Sequence, residues 1–139
     1  MLHGETRLAL PVRPNDLDAL GHVNNAVVLE YLETGRRHWL ARLGGAPAAG
    51  TVAVVARIEV DYRAEIPYGT VEVVTALEAP TAEEVDEDSL TFRALLRQRV
   101  HLPGTACAAV DALVTVAFLD TRQRRPVTLQ DYLSAVVAG

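Results

Sequence analysis

The chain has 139 residues, half of them hydrophobic, with a formal net charge of −5. That length suits a single domain, 1–139, with its own core, and the acidic balance argues against a nucleic-acid partner, which would need a basic face to displace phosphate counterions. No apolar run approaches the roughly 18–20 residues of a membrane span, and all 13 basic residues are arginine, which excludes Schiff-base and phosphate-loop lysine chemistry.

At the N-terminus His3, Glu5 and Arg7 break any apolar block, so the pattern of a signal peptide is missing and a cytoplasmic location is the expectation. Alternating Leu8, Leu10 and Val12 predict a strand over 6–13, ended by Pro11 and Pro14. A loop runs to Asn24. Beyond it Val27, Val28, Tyr31, Leu32, Gly35, Trp39 and Leu43 recur at spacings of three and four, which predicts a helix of about five turns with one stripe facing a core. Gly35 costs about 1 kcal/mol of helix propensity against alanine, and its place in the apolar stripe suggests close packing on a sheet. Glu30, Glu33, Arg36 and Arg37 form the opposite, solvated face, with Glu33 and Arg37 spaced for a weak ion pair. Gly44 and Gly45 stop the helix.

Strands follow. Val52, Val54, Ile58, Val60 and Tyr62 are expected on one face of a long strand, with Arg57, Glu59, Asp61 and Arg63 on the other. Pro67 and Gly69 turn the chain into a strand marked by Val71, Val73 and Leu77. An acidic, solvated loop over 81–88 precedes a strand in which Leu90, Phe92, Ala94 and Leu96 alternate with Arg93 and Arg97. Pro103 and Gly104 make a hairpin turn, and a last long strand reaches Leu119. A short helix is expected over 128–137, after Pro126. The resulting fold class is α+β: a five-stranded antiparallel sheet wrapped around one long helix, with a short C-terminal helix.

Few residues remain for chemistry. Cys107 is the sole cysteine and lies in a run of small and apolar residues, so disulfide and thiolate-zinc frameworks are excluded and a buried, inert thiol is expected. Ser89 and Ser134, the only serines, have no nucleophile-elbow setting. The concentrated signal is Asn15–Asn25, NDLDALGHVNN, which sets two carboxylates, a glycine turn, a histidine and paired asparagines directly before the amphipathic helix. The first N–H groups of a helix have no partner inside it, and its dipole presents positive charge to the loop. A carboxylate held beside such an anion site is the arrangement that acyl transfer or hydrolysis requires.

Asp16, Asp18, Gly21, His22, Asn24 and Asn25, with Tyr31 and Glu33 further on, resemble the signature of hotdog-fold acyl-CoA thioesterases, and most closely the 4-hydroxybenzoyl-CoA thioesterase-like family. DYRAEIPYGT from Asp61 resembles that family's second-strand ending and turn. The resemblance implies subunit pairing into a homodimer or homotetramer with active sites at the subunit boundary. It further implies that Asp18 is the catalytic carboxylate, acting as nucleophile or as general base toward water. Asn25 then supplies the backbone N–H that polarises the thioester carbonyl, and Gly21 permits the close turn. His22 is expected to fix the loop through hydrogen bonds, with a role as base the alternative, Asp16 to cap or hold the loop and Asn24 to cap the helix. Val28 stands where many relatives carry an aromatic residue, which implies a more apolar or differently shaped acyl pocket.

The expected activity is therefore hydrolysis of an acyl thioester, carried by coenzyme A or an acyl carrier protein, to a carboxylic acid and a free thiol. Neither a metal nor a bound cofactor is implied, since coenzyme A enters as part of the substrate. Glu33 is a rival catalytic carboxylate, because some relatives place theirs in mid-helix. Arg63, Arg122 and Arg124 are further candidates for substrate contact; the Arg122–Arg125 patch suits bidentate phosphate binding but equally reads as a solvated turn. Two alternatives stand beside this reading. One is a hotdog dehydratase or hydratase, for which His101, Leu102, Pro103 and Gly104 offer a histidine-proline-glycine likeness, though in a hairpin instead of beside the helix. The other is a non-catalytic acyl-thioester-binding protein.

Overall fold

The computed structural model describes residues 4–42, 50–81, 92–129 and 131–132. In chain order these form β1 (Thr6–Pro11), a 3-10 turn over Pro14–Asp16, α1 (Asn25–Arg42), β2 (Thr51–Tyr62), β3 (Thr70–Ala79), β4 (Arg93–His101), β5 (Ala108–Asp120) and β6 (Arg125–Val127). The strands make one antiparallel sheet in the order β1-β3-β4-β5-β2. To the five expected strands the structure adds β6, which pairs with β5 through Phe118–Val127, Leu119–Pro126 and Asp120–Arg125. The expected C-terminal helix begins on schedule, with the Tyr132 N–H donating to Thr128 O at 3.0 Å. Its remainder, the glycine stop after α1 and most of the acidic loop lie outside the described residues.

α1 packs across one face of this sheet because its apolar stripe and the inward side chains of the strands have only each other to bury against. Val28, Tyr31, Leu32, Gly35 and Trp39 are buried as the spacing predicts. Gly35 marks the tightest approach. A β-carbon there would lie 2.5 Å from Val73 Cγ1 and 3.1 Å from both Gln98 Nε2 and Thr75 Oγ1. Gln98, fully buried, satisfies itself by donating to Leu32 O and Thr75 Oγ1, each at 2.9 Å. Arg36 departs from expectation. It is buried instead of facing solvent, because its guanidinium donates from Nη1 to Gln98 Oε1 at 3.1 Å, a partner 62 residues away in sequence.

Two further corrections concern faces. β2 carries a bulge between Val55 and Arg57, so Val55 opposes Val116 and Arg57 opposes Thr115 with Ala56 as the extra residue. The alternation changes phase there: Ala53 and Ile58 pack on the core, while Val52 and Val54 remain 38% and 37% exposed. Cys107, expected to be buried, is exposed, since the turn between β4 and β5 extends through it before β5 begins at Ala108.

The core divides along α1. Around its first half lie Val23, Val28, Tyr31, Leu32, Ile66, Val73, Val100 and Val110; around its second half lie Trp39, Leu77, Leu96, Val114, Phe118, Leu129 and Tyr132. A cleft opens at each end. β2 forms one edge of the sheet, with β5 its one strand neighbour among the described residues. No helix among the described residues is long and apolar enough to cross a membrane.

Candidate active site

The loop before α1 is held by a buried carboxylate. Asp16 is 2% exposed. Its Oδ2 accepts from Tyr31 Oη at 2.6 Å and from the Arg13 N–H at 2.9 Å, and its Oδ1 accepts from Arg13 Nη2 at 2.9 Å. Burial pushes the Asp16 pKa up, but the Tyr31 and Arg13 donors outweigh it and leave the carboxyl below its ordinary value. Burial, together with the reciprocal effect of Asp16, raises the Tyr31 hydroxyl. Asp16 thus serves as the anchor that the sequence suggested. Its carbonyl also receives the Asn24 N–H at 2.9 Å, closing the loop onto the helix start.

Within that loop Asp18 folds into a tight turn. Its Oδ1 accepts from the Leu20 N–H at 2.9 Å and the His22 N–H at 3.1 Å, and its own N–H donates to His22 O at 2.7 Å. Gly21 completes the turn with φ of +82°, a conformation that side-chain-bearing residues rarely adopt. One carboxylate oxygen is therefore fixed, and the other makes no hydrogen bond among the described residues. Asn24 caps α1, its Oδ1 accepting from the Ala26 N–H at 2.8 Å. The Asn25 N–H, in the first position of the helix, has no acceptor among the described residues.

Asp18, His22, Asn25 and Arg63 come together in one cleft of about 260 Å³, walled by Val28 and Ile66. The turn after β2 supplies the opposite side. It is stitched to the loop by the Val23 N–H donating to Ile66 O at 2.8 Å and by a bridge between His22 and Pro67. The His22 ring stands beside the turn, its Nε2 lying 3.2 Å from Glu65 Oε2. Arg63 stands at the margin, mostly exposed, with Nη2 3.5 Å from Asp111 Oδ2. Two contributors escaped sequence reasoning. Tyr62 donates its hydroxyl to Asn25 O at 2.8 Å, and burial raises its pKa; Glu65 holds His22. Their only signal was the family-like run from Asp61.

Other candidates lie elsewhere. Glu33 is midway along α1, where it pairs with Arg37 at 3.2 Å and lines the second cleft. Arg122 and Arg124 belong to the turn between β5 and β6, around the Asp120 carboxylate, and are not part of the Asp18 cleft. His101, Pro103 and Gly104 line a separate depression with Arg7 and Glu72. Among the described residues no group of three or more His, Cys, Asp or Glu could hold a metal ion.

Comparison with known proteins agrees with this architecture. A family profile described as the thioesterase-like superfamily matches residues 12–137. No curated protein matches the chain. Among solved structures, PA2801 of Pseudomonas aeruginosa, itself provisionally assigned as a thioesterase, superposes with a TM-score of 0.75 at 23% identity, covering 98% of each chain. DHNA-CoA thioesterase from Staphylococcus aureus gives 0.76 at 17% identity, over 92% of this chain and 83% of that one. A 4-hydroxybenzoyl-CoA thioesterase mutant complexed with 4-hydroxybenzoyl-CoA gives 0.76 at 14% identity, over 95% and 98%. At such identities the superpositions speak for the fold, and the profile, which spans nearly the whole chain, speaks for descent: this chain belongs to the thioesterase-like superfamily and has its hotdog fold.

Proposed function

We propose that the protein hydrolyses acyl thioesters of coenzyme A or of an acyl carrier protein, using Asp18. The observation that carries this reading is the pairing, in one cleft, of a carboxylate with one oxygen fixed and one free and a helix-terminal N–H with no internal acceptor. The thioester carbonyl would accept from the Asn25 N–H, whose donor and helix dipole favour the oxyanion that develops on attack. The free Asp18 oxygen then attacks the carbonyl carbon directly, or removes a proton from the water that does. The carbon–sulfur bond breaks, the thiolate leaves to be protonated, and the acid is released, after hydrolysis of the anhydride if Asp18 attacked first. Arg63 at the cleft margin suits a phosphate of the carrier, with its planar fork. Val28 and Ile66 offer the acyl group an apolar wall.

The second element of the proposal is that a further copy of the chain covers the β2 edge. A twelve-residue edge strand with Val52, Val54 and Val55 all more than a third exposed is a surface that proteins ordinarily pair or protect. Its last residue, Tyr62, reaches the Asp18 cleft, so pairing there would put that cleft at the subunit boundary.

Thiol release from short-chain, long-chain and aromatic acyl-CoA thioesters tests the proposal, with folded Asp18→Asn protein beside the wild type. The substitution keeps the shape and the turn-forming acceptor but removes the nucleophile or base, and turnover is expected to fall by about 10⁴-fold. Near-normal turnover in the folded variant would remove Asp18 from the mechanism. Wild-type binding without thiol release from any of these thioesters or from acyl carrier proteins would favour a binding protein, and addition of water to an enoyl thioester without thiol release would favour a hydratase.

A further inference from the structure

The second cleft, at the other end of α1, holds about 310 Å³, within the range of roughly 300–1,000 Å³ typical of small-molecule sites. Most of its lining is apolar: Leu40, Leu96, Val116, Phe118, Leu129 and Tyr132. Two buried donors in that lining are poorly served. Trp39, 4% exposed, has an indole N–H that is buried and makes no hydrogen bond among the described residues. Arg36, 9% exposed, donates to the neutral Gln98 amide and has no carboxylate within 4 Å among the described residues. Glu33, the nearest acidic residue in sequence, is engaged by Arg37 at 3.2 Å.

Buried indole N–H groups ordinarily find an acceptor, and buried cations are ordinarily paired. Both residues line a cavity whose remaining wall is hydrocarbon and aromatic apart from the Glu33–Arg37 pair. We infer that this cleft is a binding site for an apolar monocarboxylate, whose carboxylate accepts from the Arg36 guanidinium and whose chain or ring lies against Trp39, Leu96, Val116 and Phe118. One unpaired positive charge calls for one negative charge, and the planar guanidinium fork matches a carboxylate in geometry. Acids of this class are also what the proposed hydrolysis releases, but the inference stands on Arg36 and the apolar lining and is independent of Asp18.

Trp39 is the only tryptophan in the chain, so its emission reports on this cleft directly. Titration of the whole protein with sodium octanoate is expected to change the emission saturably, with 1-octanol, which keeps the chain and drops the charge, binding about tenfold or more weakly. Arg36→Met should abolish that preference while leaving octanol affinity largely unchanged, and Asp18→Asn should bind octanoate as the wild type does. Equal affinity for acid and alcohol, or no saturable change, would overturn the inference without any variant. So would an acid preference that survives in Arg36→Met. Loss of octanoate binding in Asp18→Asn would move the ligand to the other cleft and equally overturn it, whereas thiol release bears only on the catalytic proposal.

Discussion

Tyr31→Phe isolates the contact on which the Asp18 loop depends. The substitution deletes one hydroxyl from a side chain that is 5% exposed and leaves the ring in place, so neither a large cavity nor a change of packing accompanies it. What is lost is the 2.6 Å donation to Asp16 Oδ2, a hydrogen bond to a buried charge. Such bonds contribute about 1.5–3 kcal/mol, and neutral ones about 0.5–1.5 kcal/mol. The cost should stay below the 3–5 kcal/mol typical of breaking a buried ion pair, because the Arg13 donors remain. The pH dependence has a definite sign. The folded Asp16 pKa lies below its ordinary 3.8, so its stabilisation is fully present above that value and is lost as pH falls through the folded pKa. Protonation leaves a neutral contact, and the penalty of Tyr31→Phe should shrink toward the lower range. Urea unfolding of wild type and variant, at fixed protein concentration and at a series of pH values from 7 to below 3, measures the difference. A penalty under about 0.5 kcal/mol at pH 7, or one that does not diminish with falling pH, would refute the assignment of Asp16 as a charged anchor held by Tyr31.

Gly35→Ala sets helix propensity against packing. Alanine gains about 1 kcal/mol, but a β-carbon 2.5 Å from a branched, rotamer-restricted Val73 forces the helix off the sheet at about 1–3 kcal/mol, so the variant should lose up to about 2 kcal/mol in thermal or urea unfolding; a stabilised variant would mean that the helix shifts freely. Asn24→Ala removes the Ala26 N–H acceptor and should cost about 1 kcal/mol, with Asn24→Asp retaining the cap. Because the cap lies next to Asn25, kcat for thiol release should fall in Asn24→Ala more than KM rises, and an unchanged kcat would separate the cap from the site.

Legibility followed the range of the interactions. The helix was readable because its stripe repeats over its own 18 residues, and the Asp18 turn because Leu20, Gly21 and His22, which shape it, are its immediate neighbours. Asn24 was readable as a cap for the same reason. Of the features that escaped, three were decided by distant chain. The bulge at Ala56 depends on the register against β5, and by inserting one residue it moved Ala53, not Val52 or Val54, onto the core. Cys107 looked buried from its small, apolar neighbours, yet the hairpin turn leaves it outside the strand. Arg36 looked solvated from charged neighbours in sequence, yet in space its partner is Gln98 on β4.

The Arg36 case also explains why one cleft was visible in advance and the other was not. The Asp18 cleft is built chiefly from one short segment closed by the turn after β2, so its chemistry is concentrated in eleven consecutive residues. The Arg36 cleft draws on α1, β2, β4, β5 and the residues after β6, and each of its polar members reads alone as ordinary helix surface or core. Gly35 links the two halves of the argument: by letting α1 settle onto Val73, Thr75 and Gln98, it carries Arg36 out of solvent and up to the Gln98 amide. The glycine that costs the helix its propensity is thus what gives this end of the fold a buried cation, and the burial of that cation without a carboxylate sets its ligand preference.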